Sequence, residues 1–256
     1  MTTSKKLIIL SILSFFLIEP VISQDLDIDK EKPQKENIRY PNIIKINSLA
    51  LAFNNLSLVY ERGIIPRLSA GIGVGYKYAG GAPKLLTVEN STIAVKYDKI
   101  KGFSISPEAR YYLKSCDPGQ LEGFYAGLYF RYTGYTTTAG FEYIPENNTP
   151  EYYNSDIALK EFGVGIQFGY QMIIKERFSI DFLFLGPRFS SYHFSYEFDQ
   201  EPSQEFLDDL SEYLNEVVDR FGLDYNVDVQ QDGETKASTT FSFANVRFGL
   251  SLGFAF

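Results

Sequence analysis

The sequence predicts an all-β chain: an eight-stranded antiparallel transmembrane β-barrel with long extracellular loops, one of them containing an amphipathic helix. Three observations predict it. Apolar and polar residues alternate with a period of two in run after run. After the N-terminus, no apolar stretch approaches the roughly 18 residues that a membrane-crossing helix needs. The connections between runs are alternately short and long, the pattern of a barrel with turns at one membrane face and loops at the other.

The composition narrows the function classes. The chain has 256 residues, 24 Lys+Arg against 32 Asp+Glu, and a net charge of −8. That balance, without a basic cluster, speaks against nucleic-acid binding. One Cys cannot form an internal disulfide, and one His with one Cys is too few for an ordinary zinc site. No cofactor is expected. With 45% apolar residues the chain is not expected to be disordered.

Residues 1–23 carry the three parts of an export signal. Lys5 and Lys6 supply the charge, Leu7 to Ile18 the apolar stretch, and Val21 and Ser23 the small-residue cleavage pattern. Cleavage is expected after Ser23, with an uncleaved N-terminal anchor as the alternative. The expected location is the bacterial outer membrane. Residues 24–40 form an acidic segment, and residues 41–256 form the barrel.

The strand runs follow in order. Asn42 to Phe53 and Asn55 to Arg62 are short. Leu68 to Tyr78 sets Ile72, Val74 and Tyr76 against Gly71, Gly73 and Gly75. Phe103 to Leu113 sets Ile105 and Tyr111 against Ser106, Glu108 and Arg110. Phe124 to Tyr132 alternates with Gly127, Tyr129 and Arg131. Phe162 to Tyr170 alternates with Glu161, Gly163, Gly165 and Gln167. Phe178 to Phe184 alternates with Ser179 and Asp181. Phe248 to Phe256 alternates with Arg247, Gly249 and Ser251.

Alternation alone fits any half-buried strand. Here the polar face is mostly Gly, Ser and Thr with isolated charges, which suits a narrow interior. The other face is long, apolar and aromatic at its ends, as contact with lipid requires. Arg62–Pro66, Lys114–Gln120 and Lys175–Arg177 read as short connections, with a tight turn at Asn54–Asn55. Ala79–Lys101, Thr138–Ala158 and Glu197–Ser238 read as long loops.

The run Phe248, Leu250, Leu252, Phe254, Phe256 resembles the signal read by the outer-membrane barrel assembly machinery. Asn42-Ile-Ile-Lys-Ile-Asn47, Leu58-Val-Tyr-Glu61, Gly102 to Tyr112, Gly169-Tyr-Gln171 and Leu185-Gly-Pro187 add to it. Over residues 40–256 the chain resembles a bacteroidete-type family of small outer-membrane barrels known only as a domain of unknown function. The resemblance implies the fold, outer-membrane lipid and the assembly machinery as partners, and no catalytic residues.

Glu61, Glu108, Arg110, Arg131, Asp181 and Arg247 lie on the polar faces of these runs. Inside a barrel their desolvated charges must pair, so a lumen-filling network is expected rather than a pore. His193, the only histidine, has Ser191, Ser195 and Glu197 at two-residue spacing. A lipid-modifying enzyme could use Ser and His together. Neighbours on one strand face lie about 7 Å apart, however, so direct Ser–His bonding is not expected.

Ser203 to Phe221 reads as an amphipathic helix with Phe206, Leu207, Leu210, Leu214, Val217 and Val218 on one stripe. Ser203 is the N-cap and Gly222 the stop. It is expected either to cover the barrel mouth or to bind a surface protein. Asp224, Asn226, Asp228 and Asp232 fail as a calcium loop, because Val229 replaces the required glycine. Cys116 has no partner and is read as incidental. The function expected is structural anchoring or surface interaction without catalysis. The alternatives are lipid modification near His193 and a soluble periplasmic barrel holding a small ligand.

Overall fold

The computed structural model describes residues 38–78, 92–114, 120–145, 149–220 and 226–256, all within one unit, Glu36–Phe256. The expected export signal, Cys116 and Asp224 fall outside these residues. The strands are β1 (Asn42–Asn47), β2 (Asn55–Ile65), β3 (Leu68–Lys77), β4 (Ile93–Tyr97), β5 (Lys101–Lys114), β6 (Gly123–Tyr143), β7 (Glu151–Ile174), β8 (Phe178–Phe198), β9 (Gln230–Gln231) and β10 (Lys236–Ala255). The helices are α1 (Ser48–Ala52) and α2 (Gln204–Arg220).

Eight strands form a closed antiparallel ring in the order β1-β2-β3-β5-β6-β7-β8-β10, with β10 returning to β1. Closure runs from Ile43 opposite Ala255 to Asn47 opposite Ser251. The Asn42 and Phe256 backbones exchange two further hydrogen bonds, 2.8 and 3.2 Å. These are the eight runs legible in the sequence. The short β4 pairs with β6, and β9 with β10, outside the ring.

The two ends differ. At the turn end, Ile65 joins Leu68 through Pro66 and Arg67, with Arg67 at φ 70°. Proline followed by a positive φ is the geometry of a type II turn. Ile174 joins Arg177 through Lys175 and Glu176, whose φ values are 50° and 62°. Two consecutive positive φ values match the right-handed strand twist in a two-residue hairpin.

The opposite end, here called the head, corrects the expected boundaries. The run Asn42 to Phe53 is not one strand. Asn47 accepts a 3.0 Å hydrogen bond from the Ala50 N–H, which caps the short helix α1. Ala79–Lys101 is not all loop, because it contains β4. Thr138–Ala158 and Glu197–Ser238 are largely structured. Strands β6, β7, β8 and β10 run 21, 24, 21 and 20 residues, about twice the expected length.

Along β6 and β7 the alternation keeps one phase from end to end, but its polarity changes. On the lower half of β6 and β7, outward rows pair Phe124 with Tyr170, Ala126 with Phe168, Leu128 with Ile166, Phe130 with Val164 and Tyr132 with Phe162. One row further, outward Gly134 faces Lys160, and Lys160 faces His193, which faces Thr240. Beyond that, the outward positions are mostly polar, among them Thr138, Asp156, Glu197 and Lys236. The inward positions reverse as well. Below, they are Glu161, Gln167, Gln171 and Asp181, all buried. Above, they are Ala139, Phe141, Tyr143, Tyr153, Ile157, Tyr196 and Phe198, also buried.

That upper apolar face is covered by α2. Phe206, Leu207, Leu210, Tyr213, Val217 and Val218 are buried on it. Phe206 stacks on Tyr153 at 4.4 Å and meets Phe141, Tyr143 and Phe198 at 5.4–5.7 Å. The Ser203 hydroxyl accepts from the Phe206 N–H at 3.2 Å, the expected N-cap. The helix therefore closes over the head, as its stripe predicts. The Phe221 end lies outside the described residues.

Candidate functional site in the lumen and head

Three regions carry the chain's chemistry: a charged lumen, a polar row outside, and an apolar chamber beneath α2.

In the lower lumen, five of the six expected charges meet, joined by Lys45. Lys45 Nζ lies 2.5 Å from Glu61 Oε2 and 2.8 Å from Asp181 Oδ2, and it also donates to Gln171. Arg110 bonds Asp181 at 2.6 Å and Glu108 at 2.8 Å, and lies 3.7 Å from Glu61. Arg247 extends the chain to Glu108 at 3.3 Å and Gln167 at 2.5 Å. Tyr125 donates to Asp181 at 2.8 Å and Tyr112 to Glu61 at 2.7 Å. Three cations thus meet three anions, with phenols bonding Glu61 and Asp181, while the buried Nε atoms of Arg110 and Arg247 make no hydrogen bond among the described residues.

Arg131 stands apart in a second cluster. It lies 3.8 Å from Glu161, which binds Arg188 at 2.6 Å and accepts from Ser190 and Tyr192. Sequence reading missed Lys45, because its strand is too short to show a face. It missed Arg188 because β8 carries a bulge at Phe184–Leu185, where two successive residues both point outward. Beyond the bulge the phase shifts, so Arg188, Ser190 and Tyr192 turn inward.

One legible signal went unused. Long inward side chains lie across glycines directly opposite on the neighbouring strand: Lys45 across Gly253, Glu108 across Gly71, Tyr125 across Gly169, Tyr129 across Gly165 and Arg247 across Gly186. A Cβ on Gly186 would sit 2.6 Å from Arg247 Cγ, and one on Gly165 2.9 Å from the Tyr129 ring. The small residues thus make room for the filling rather than for an approach of the walls.

His193, Ser191 and Ser195 all point outward, Ser191 in the top row of the apolar band and the other two in the first polar rows above it. Contrary to the expectation from strand spacing, Ser195 Oγ and His193 Nε2 are 3.1 Å apart. The imidazole leans along the strand and spans the gap. On the other ring nitrogen, His193 Nδ1 lies 2.8 Å from Thr240 Oγ1, so the orienting position holds a hydroxyl and not a carboxylate. Glu197 pairs instead with Lys236 at 3.6 Å on the exposed edge. Ser191 lies opposite Phe162 and Ser242. The run from Phe248 to Phe256 faces outward on β10, with Phe248 68% exposed.

Beneath α2 lies a cavity of about 190 Å³. Leu210, Leu214, Val217 and Val218 line it from the helix, and Tyr135, Leu159, Phe194 and Phe241 from the strands. Tyr97, Tyr196 and Tyr213, with Tyr135, supply its phenols. Burial pushes Tyr97 and Tyr196 far above the ordinary phenol range, so both stay neutral. Among the described residues, no three His, Cys, Asp or Glu side chains gather as a metal site would require.

Residues 40–204 match the family described as a protein of unknown function, DUF3575. The chain belongs to that family. The match takes in seven of the eight ring strands and stops at α2, short of the residue 256 that the sequence resemblance reached. Comparison with curated proteins and with solved structures finds no match.

Proposed function

We propose that this DUF3575 protein is an exported outer-membrane barrel whose plugged ring anchors a capped head outside the membrane, where the head makes contacts and carries out no catalysis. One observation carries this reading: polarity reverses on both faces of the same strands at one level. Below Tyr132, Phe162 and Phe189 the apolar side faces out, and above Lys160, His193 and Thr240 it faces in. A strand in water alone has no reason to turn Phe124, Leu128 and Phe130 outward, each 49–59% exposed.

The apolar band covers nine residues of β6. At a rise of about 3.3 Å and a tilt of about 40°, that is about 20–25 Å of height, the thickness a transmembrane ring presents to lipid. Aromatic pairs edge it. Phe124 and Tyr170, and Phe178 and Phe254, lie towards the turn end, and Phe103 and Tyr132 towards the head. The export signal at residues 1–23 and the outward Phe248–Phe256 run fit the same route. A periplasmic carrier would need the opposite phase, with apolar residues lining the ring. The Ser195–His193–Thr240 chain reads as a polar collar at the membrane edge, since no carboxylate completes it.

Fractionation of cells tests this reading, combined with gel mobility of boiled and unboiled samples. The expected result is an outer-membrane protein whose mobility shifts on boiling. A soluble protein without a shift overturns it.

A further inference from the structure

The chamber under α2 is an unfilled apolar space in an otherwise packed head. Protein interiors leave few voids larger than a water molecule, yet this cavity holds about 190 Å³. Its lower wall shows the vacancy directly. Tyr135, Leu159, Phe194 and Phe241 point inward, and each remains only half-buried. The rows above them, Ile157 with Tyr196 and Phe141 with Tyr153, are buried in the cluster that the helix completes.

We propose that this chamber is a binding site for a neutral, apolar molecule of single-ring size, such as a substituted benzene with at most one hydroxyl. Size sets the upper bound, since an apolar protein cavity of about 150 Å³ already accommodates benzene. Chemistry sets the rest. The wall is mostly Leu, Val, Ile and Phe, and its polar side chains are four tyrosines with Thr136 and Thr137, all uncharged, among which Tyr97 and Tyr213 bond one another. A charged ligand finds no counter-ion among these lining side chains, and an apolar wall binds a ring without directional bonds. The site lies above the band of outward apolar residues, so the inference holds whatever solvent that band meets.

Bromobenzene is the probe. Crystals of the full-length protein are soaked with it, and the bromine is located by anomalous scattering. The expected result is a bromine peak between Leu159 and Leu214. Leu159→Trp, which fills the chamber, should abolish it, and Leu214→Phe, a milder filling, should weaken it. Both variants are first checked for the wild-type gel-mobility behaviour. Peaks confined to the outer band, no peak, or a peak unaffected in both variants would overturn the proposal. So would electron density from the chain itself filling the space.

Discussion

At the scale of single residues, the lumen is governed by the cost of unpaired charge. Asp181 holds Lys45, Arg110 and the Tyr125 hydroxyl at 2.6–2.8 Å. Replacing it with alanine removes one of three buried anions and leaves Lys45, Arg110 and Arg247 to share Glu61 and Glu108. Breaking a buried pair in this way costs about 3–5 kcal/mol. Asp181→Ala should therefore lower the denaturant midpoint strongly, while Asp181→Asn, which keeps some hydrogen bonds, should lower it less. Equal effects from the two would show that charge is not what the site requires. The role of Asp181 was legible in the sequence as a charge on an inward face. The role of Lys45 was not, since only its register opposite Gly253 and its ion pair with Glu61 reveal which way β1 faces.

At the scale of elements, α2 and the long strands depend on one another. The upper halves of β6, β7, β8 and β10 carry inward aromatics that would meet water without the helix. Phe206 is the centre of that contact, with four aromatic neighbours and no exposure. Phe206→Ala should cost about 3–5 kcal/mol locally. The effect should be confined to the head: limited proteolysis should cut near α2, while the ring below keeps the gel shift that the proposed reading expects of it. Loss of the shift would mean that head and ring fold as one cooperative unit. In the sequence, the helix was readable from its 3.6-residue stripe and its Ser203 cap. The strands beneath it were hidden, because their inward side turns from Glu161 to Ile157 and Tyr153 within a few residues. A reader who follows the apolar face alone sees the strand end there.

At the scale of the whole molecule, the outward surface is apolar at one height and polar at another, and the proposed membrane reading assigns lipid to the first and water to the second. A single substitution placed at two heights of β6 tests this. Leu128→Arg falls within the apolar band, where a cation facing lipid costs about 2–4 kcal/mol at mid-depth. Thr138→Arg falls outward in the head, among polar neighbours. The first should impair assembly into the membrane fraction, and the second should leave it unchanged. Equal tolerance of both would remove the membrane from the account.

What the sequence determined by itself was the phase: which residues of each run share a face, how many runs there are, and that the Gly, Ser and charged face belongs inside. Those follow from a two-residue period and from the composition of each face, and both are local. What only the tertiary structure decided was which charges meet, how high the strands continue, and where space remains. Closing a sheet sets Lys45 beside Gly253, 208 positions away, as the β1–β10 register records. The bulge at Phe184–Leu185 turns Arg188 inward. The helix covers one row of aromatics and leaves the next half-bare. Each depends on distances between strands remote in sequence, which no local pattern encodes.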